Sequence, residues 1–264
     1  MSEEKKTGIR INKYLSEAGV CSRRAADREI QAGNVSIDGR VADIGDRVSP
    51  GMRVTFCGRP VKPEEEEILI AFHKPRGIVC TAEKREKNNI IDYIHYPKRI
   101  YPVGRLDKDS EGLILLTNQG ELVNKIMRAG NFHEKEYIVT VNREITESFL
   151  HQLREGIYLD ELNVTTRPCH VEQRSNYKFT IILTQGYNRQ IRRMCEACGY
   201  QVKRLVRVRI MNIRLDDLKL GTYRPLTEKE RAELLRLTKN SYSAPRKKEG
   251  GQGRKKNGKC EKKQ

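Results

Sequence analysis

The chain contains no tryptophan, and aromatic residues make up only 6% of its 264 residues. Eleven tyrosines are the main aromatic resource, and tyrosine stacks well on a nucleobase. No apolar run reaches transmembrane length, and the polar N-terminus shows no signal-peptide pattern, so we expect no membrane partner and no secretion. Neither a G-x-G-x-x-G nor a P-loop pattern occurs, which removes the usual signatures of dinucleotide and nucleoside-triphosphate binding. Seven cysteines, odd in number and scattered, fit a reducing cytoplasm. Cys195-x-x-Cys198 has no second Cys/His pair at metal-ligand spacing, and the five histidines are dispersed. We therefore expect a pair of ordinary helical cysteines and no metal.

Acidic residues are in short supply: 35 Asp and Glu stand against 52 Lys and Arg, a formal net charge of +17. Residues 241–264 hold nine Lys/Arg and two Glu, a charge of +7, which leaves +10 on the body. The body is basic in its own right, and that imbalance favours a polyanionic partner.

Residues 1–8 are polar and expected to be flexible. Residues 9–62 read as a small module. Ile11, Tyr14, Leu15 and Ala18 recur at helical spacing and Gly19 closes the helix. Ser22 is placed to cap a second helix running through Ala25, Ala26 and Ile30 to Gly33. Val35-Ser36-Ile37 and Arg40-Val41-Ala42 then flank Asp38-Gly39, a strong hairpin signal. The proline-led acidic stretch 63–67 reads as a linker. A larger unit over 68–240 mixes apolar strand candidates (68–72, 113–117, 137–141, 179–183) with helices near 121–128 and 188–197. Without a regular strand–helix repeat this predicts an α+β fold. The Lys-rich stretch 241–264 has little to bury and is expected to be a disordered basic tail.

The stretch most suggestive of chemistry is Gly104-Arg105-Leu106-Asp107-Lys108-Asp109-Ser110-Glu111-Gly112, which runs straight into Leu113-Ile114-Leu115-Leu116-Thr117. A polar loop bounded by glycines would hold Asp107 at the mouth of a buried strand. Asp107-x-Asp109-x-Glu111-Gly112 imitates the start of a calcium loop, but the twelfth position is Asn118 where a bidentate glutamate is needed. Asp107 and Asp109 could form a hydrolytic pair, although alternate residues of an extended loop tend to point apart. A loop aspartate that merely caps a turn is the plain structural alternative.

Several motifs carry a family resemblance. Cys21-Ser22-Arg23-Arg24-Ala25-Ala26-Asp27 with Gly33-Asn34-Val35-Ser36-Ile37-Asp38-Gly39 resembles the signature of the S4 RNA-binding domain. That likeness implies phosphate contacts from Arg23, Arg24 and Arg28. Gly104–Asp107 with Gly112–Thr117, Glu134-Lys135-Glu136-Tyr137, and Gly186-Tyr187-Asn188-Arg189-Gln190-Ile191-Arg192-Arg193-Met194 resemble, in the same order, three motifs of the pseudouridine synthases that modify ribosomal RNA. The likeness covers roughly residues 9–237. It implies an S4-type domain followed by a catalytic domain built on a mixed, mainly antiparallel sheet. It further implies that Asp107 is the nucleophile, that Tyr137 stacks on the flipped uracil, and that Arg192 pairs with the catalytic aspartate. Arg105 would enter the RNA stack in place of the extruded base, with Arg189 and Arg193 on phosphates. Spacing alone does not choose among these three arginines.

The chemistry is self-sufficient, because moving ribose from N1 to C5 of uracil needs no redox change and no added atoms. No cofactor is expected. The implied substrate is ribosomal RNA, most closely that of the large (23S) subunit, with transfer RNA a further candidate, acted on by a monomer. Two alternatives of another class stand beside it. One is a non-catalytic ribosome-assembly protein; the other is a hydrolase using Asp107 and Asp109, which would release free uracil.

Overall fold

The computed structural model describes residues 8–64, 66–83 and 85–242. The expected flexible N-terminus and basic tail lie outside the described residues, apart from Gly8, Ser241 and Tyr242.

Local signals account for the N-terminal unit. Ser22 has extended backbone, and its Oγ accepts the Ala25 N–H at 3.2 Å, which starts the helix Arg23–Gln31 behind the first helix, Ile11–Glu17. Asp38 and Gly39 both adopt positive φ, 50° and 84°, as a tight two-residue hairpin turn requires. That turn sets Ile37 opposite Arg40, and Val54–Phe56 and Arg59–Val61 extend the hairpin to four strands. Ile11, Leu15, Ala26, Ile30, Val35 and Val54 close a separate small core beneath it. Arg23, Arg24 and Arg28 are left exposed on the second helix.

The acidic stretch 63–67 has no regular secondary structure where it is described, yet it is fastened down. Glu64 and Glu66 both pair with Lys98, at 2.9 and 2.5 Å, and Glu67 pairs with Arg231. The two units also touch directly. Lys13 Nζ lies 2.7 Å from Glu121 Oε1, and Arg99 Nη1 donates to the carbonyls of Ser16 and Cys21 at 3.0 and 2.5 Å.

The second unit is an α+β domain on a nine-stranded, mainly antiparallel sheet. In spatial order its strands are His170–Ser175, Lys178–Leu183, Lys135–Val141, Val202–Ile210, Glu111–Thr117, Leu69–Lys74 and Tyr223–Pro225. Ile213–Arg214 pairs with Val202–Ile210, and Tyr101–Val103 with Glu111–Thr117. Glu111–Thr117 is buried along its whole length because it serves two cores. Ile114 and Leu116 face one core with Phe149, Leu153, Ile191 and Met194, from the helices Glu147–Glu155 and Gln190–Ala197. Leu113 and Leu115 face the other with Leu122, Ile126 and Leu234, from Gly120–Met127 and Glu228–Thr238. Burial on both faces explains a continuous apolar run rather than an alternating one. Each such leucine contributes about 1.5–3 kcal/mol on burial.

The longest strand, Val202–Ile210, was not anticipated, since Lys203, Arg204, Arg207 and Arg209 interrupt its apolar residues. Its parallel pairing to Glu111–Thr117, Val206 with Glu111 and Arg207 with Gly112, brings Arg207 under the Gly104–Gly112 loop.

Candidate active site

A cleft of about 1040 Å³ opens where that loop meets the start of the strand Lys135–Val141 and the N-terminal end of the helix Gln190–Ala197. Arg105, Asp107, Asp109, Tyr137, Arg189 and Arg192 all line it. Residues separated by some 80 positions in the chain are thus gathered at one end of the sheet.

The loop is held from below. Gly104 has φ +78°, and the Ser110 N–H donates to the Asp107 carbonyl at 3.1 Å, turning the chain back toward the strand. Lys74, fully buried at the end of its own strand, donates from Nζ to the carbonyls of Ser110 and Pro75 at 2.8 and 2.9 Å. Burial pushes the Lys74 ammonium below its ordinary range, and the nearby Cys80, Asp107 and Asp109 oppose that shift. The Asp107 carboxylate is half-buried, lines the cleft, and makes no hydrogen bond or ion pair among the described residues.

The expected pairing of Arg192 with Asp107 is not what the geometry shows. Arg192 Nη2 lies 3.2 Å from Asp109 Oδ2 and 3.1 Å from the Asp109 carbonyl, and its Nη1 reaches the Val202 carbonyl at 3.1 Å. Arg189 Nη1 holds the other Asp109 oxygen at 3.2 Å. The turn at Ser110 explains the difference: it directs Asp109 toward the helix and leaves Asp107 facing the cleft. Arg192 is only 6% exposed; burial lowers its pKa, and Asp109 works against that shift before Asp107 does.

Tyr137 belongs to the core and to the cleft wall at once, and its hydroxyl has no protein partner among the described residues. Arg105 is exposed at the rim. Arg193 is not brought to the cleft; its guanidinium turns to Glu161 and to the Asn188 carbonyl. Arg189 takes a left-handed conformation, φ 51°, so the helix starts at Gln190, whose Oε1 accepts the Tyr187 N–H at 3.0 Å.

The sequence reading overlooked the cationic floor. Lys135 and Arg207 both line the cleft though they are only 4% and 1% exposed. Burial, helped by Arg207, brings the Lys135 pKa down to about 8. Arg207 Nε donates to the Leu113 carbonyl at 2.7 Å, while its Nη2 is buried without an acceptor among the described residues. Gln185 Nε2 is a second buried cleft donor without one. Such donors suit a ligand rich in acceptors, as a uracil edge or a phosphate is. The only available signals were a lysine ending an apolar run and a lysine two places before Tyr137. No group of His, Cys, Asp and Glu able to hold a metal ion occurs among the described residues. There, too, no helix is long and apolar enough to cross a membrane.

Sequence comparison matches residues 68–197 to the RNA pseudouridylate synthase family and residues 9–54 to the S4 domain. The chain is 52% identical to the dual-specificity RNA pseudouridine synthase RluF of Escherichia coli, over 90% of this chain and 82% of the relative. It is 34% identical to the ribosomal large subunit pseudouridine synthase B of Bacillus subtilis, over 89% of this chain and 99% of the relative. Among solved structures, a pseudouridylate synthase superposes with a TM-score of 0.64 at 30% identity, covering 86% of this chain and 99% of that one. Being 52% identical to one such enzyme over 90% of its own length, the chain belongs to the RNA pseudouridylate synthase family.

Proposed function

We propose that the protein converts a specific uridine of large-subunit ribosomal RNA into pseudouridine, with Asp107 as nucleophile. The observation that carries this reading is the convergence of an unpaired Asp107, the half-free Tyr137 and the Arg189–Asp109–Arg192 network in one basic cleft. The target uridine leaves the RNA stack, at a cost of a few kcal/mol that contacts in the cleft offset. Tyr137 receives the base on its ring, and Arg105 occupies the vacated position in the stack. The bond between ribose C1′ and N1 breaks and a bond between C1′ and C5 forms. The C5 proton leaves to solvent, N1 gains a proton, and no atom or electron is added. Arg192 acts at one remove: by gripping Asp109 and its carbonyl it holds the loop that presents Asp107. Lys135 and Arg207 supply positive charge where the detached uracil carries negative charge.

The name dual-specificity RNA pseudouridine synthase, borne by the half-identical relatives, supports a second RNA substrate class, for which transfer RNA is the candidate. The experiment uses ribosomal and transfer RNA transcripts carrying tritium at uridine C5, with wild type and Asp107→Asn. Tritium released to solvent by wild type alone, without free uracil, is the expected result. Free uracil would indicate a hydrolase, and full turnover by Asp107→Asn would remove Asp107 from its role.

A further inference from the structure

Phe132 is 60% exposed and stands at φ 56°, a left-handed conformation that bulky side chains rarely adopt. The position is therefore unfavourable twice, through an apolar ring in water and through a strained backbone, and the ring belongs to neither core of its domain. Its surroundings nevertheless hold it firmly. Phe132 closes the short helical turn Ala129–Asn131. Asn131 Nδ2 donates to the carbonyls of Lys125 and Tyr242 at 2.7 and 3.1 Å. One face of the ring is covered by Arg167, whose guanidinium carbon is 4.2 Å from the ring centre. Arg167 Nη1 is itself fixed by the Ala129 carbonyl at 2.9 Å. Ala129 and Met127 line the cleft, so this aromatic stands at the cleft rim. No Asp or Glu occurs in residues 122–133 or 163–171, the two segments that build it.

We propose that Phe132, backed by Arg167, is a stacking platform for an unpaired nucleobase next to the target uridine in the bound RNA. Extrusion of the target strips its neighbour of a stacking partner, and a rigid ring at the cleft rim replaces it. The guanidinium behind the ring contributes a cation beside the phosphate backbone. Strain retained at an exposed site is accounted for by binding, since the folded chain alone gains little from it. The platform rests on the RNA reading above and adds a contact site outside the catalytic cleft.

The test compares Phe132→Gly and Phe132→Trp with wild type on two probes, a twelve-nucleotide oligouridylate and an abasic ribose–phosphate chain of equal length. Glycine relieves the positive φ, so the thermal midpoint of Phe132→Gly should equal or exceed that of wild type. Its affinity for the oligouridylate should fall roughly fivefold to a hundredfold, the range measured for one base–aromatic stack, with the abasic chain unaffected. Phe132→Trp should restore binding. On a ribosomal RNA transcript, KM should rise while kcat at saturation holds. Unchanged affinity for the oligouridylate, or an equal loss on both probes, overturns the platform alone. If wild type binds neither probe, the RNA reading fails with it.

Discussion

Gly112 lies directly against the backbone of Arg207. A Cβ on Gly112 would stand 2.3 Å from the Arg207 carbonyl oxygen and 2.5 Å from its nitrogen, and Gly112 holds φ +115°. This contact sits in the parallel ladder that carries Arg207 under the catalytic loop. Gly112→Ala must move backbone rather than a side chain. We expect a loss of roughly 2–5 kcal/mol of stability, a fall of about 5–15 °C in the thermal midpoint for a domain of this size. A melt within 2 °C of wild type would show that the two strands separate freely.

Asp109 is expected to position the loop, whereas Asp107 acts chemically. Asp109→Asn weakens its ties to Arg189 and Arg192, both at 3.2 Å, and loosens the turn that presents Asp107. Turnover should fall by roughly tenfold to a hundredfold, the scale of a small misplacement, and yet remain measurable. Single-turnover kinetics beside Asp107→Asn check this, and complete inactivity of Asp109→Asn would contradict the division of roles.

Lys135 carries a pH signature. Its folded pKa, about 8, lies below its ordinary 10.5, so folding disfavours the protonated form. The penalty is complete below pH 8 and fades as pH rises toward 10.5, so wild type gains stability from this group across that window. Against Lys135→Met, denaturant unfolding should show a difference that changes by up to about 3 kcal/mol between pH 8 and 10.5. A constant difference would mean that Lys135 titrates normally.

Arg23, Arg24 and Arg28 are exposed on the second helix, and none makes an ion pair among the described residues. Replacing all three with alanine should reduce the slope of log affinity against log salt by about 2–3, one phosphate contact each. The midpoint of thermal unfolding should stay close to that of wild type. An unchanged slope would remove this helix from the RNA interface.

What the sequence determined by itself was local in origin. The Ser22 cap, the Asp38-Gly39 turn, the αL glycines that end helices at Gly19 and Gly199, and the two-sided strand Glu111–Thr117 each rest on a handful of neighbouring residues. Asp107, Tyr137 and Arg192 were recognisable because their motifs are short and continuous, and the fold sets all three on one cleft. The tertiary structure alone decided which groups meet. Arg192 closes on Asp109 because the turn at Ser110 orients two nearby aspartates differently, and no periodicity encodes that choice. Lys135 and Arg207 come to the floor of the site, and Lys74 beneath its loop, through sheet pairings that join residues up to 95 positions apart. Such register depends on the packing of both cores at once, so a basic, broken strand such as Val202–Ile210 shows its purpose only when its neighbours are in place.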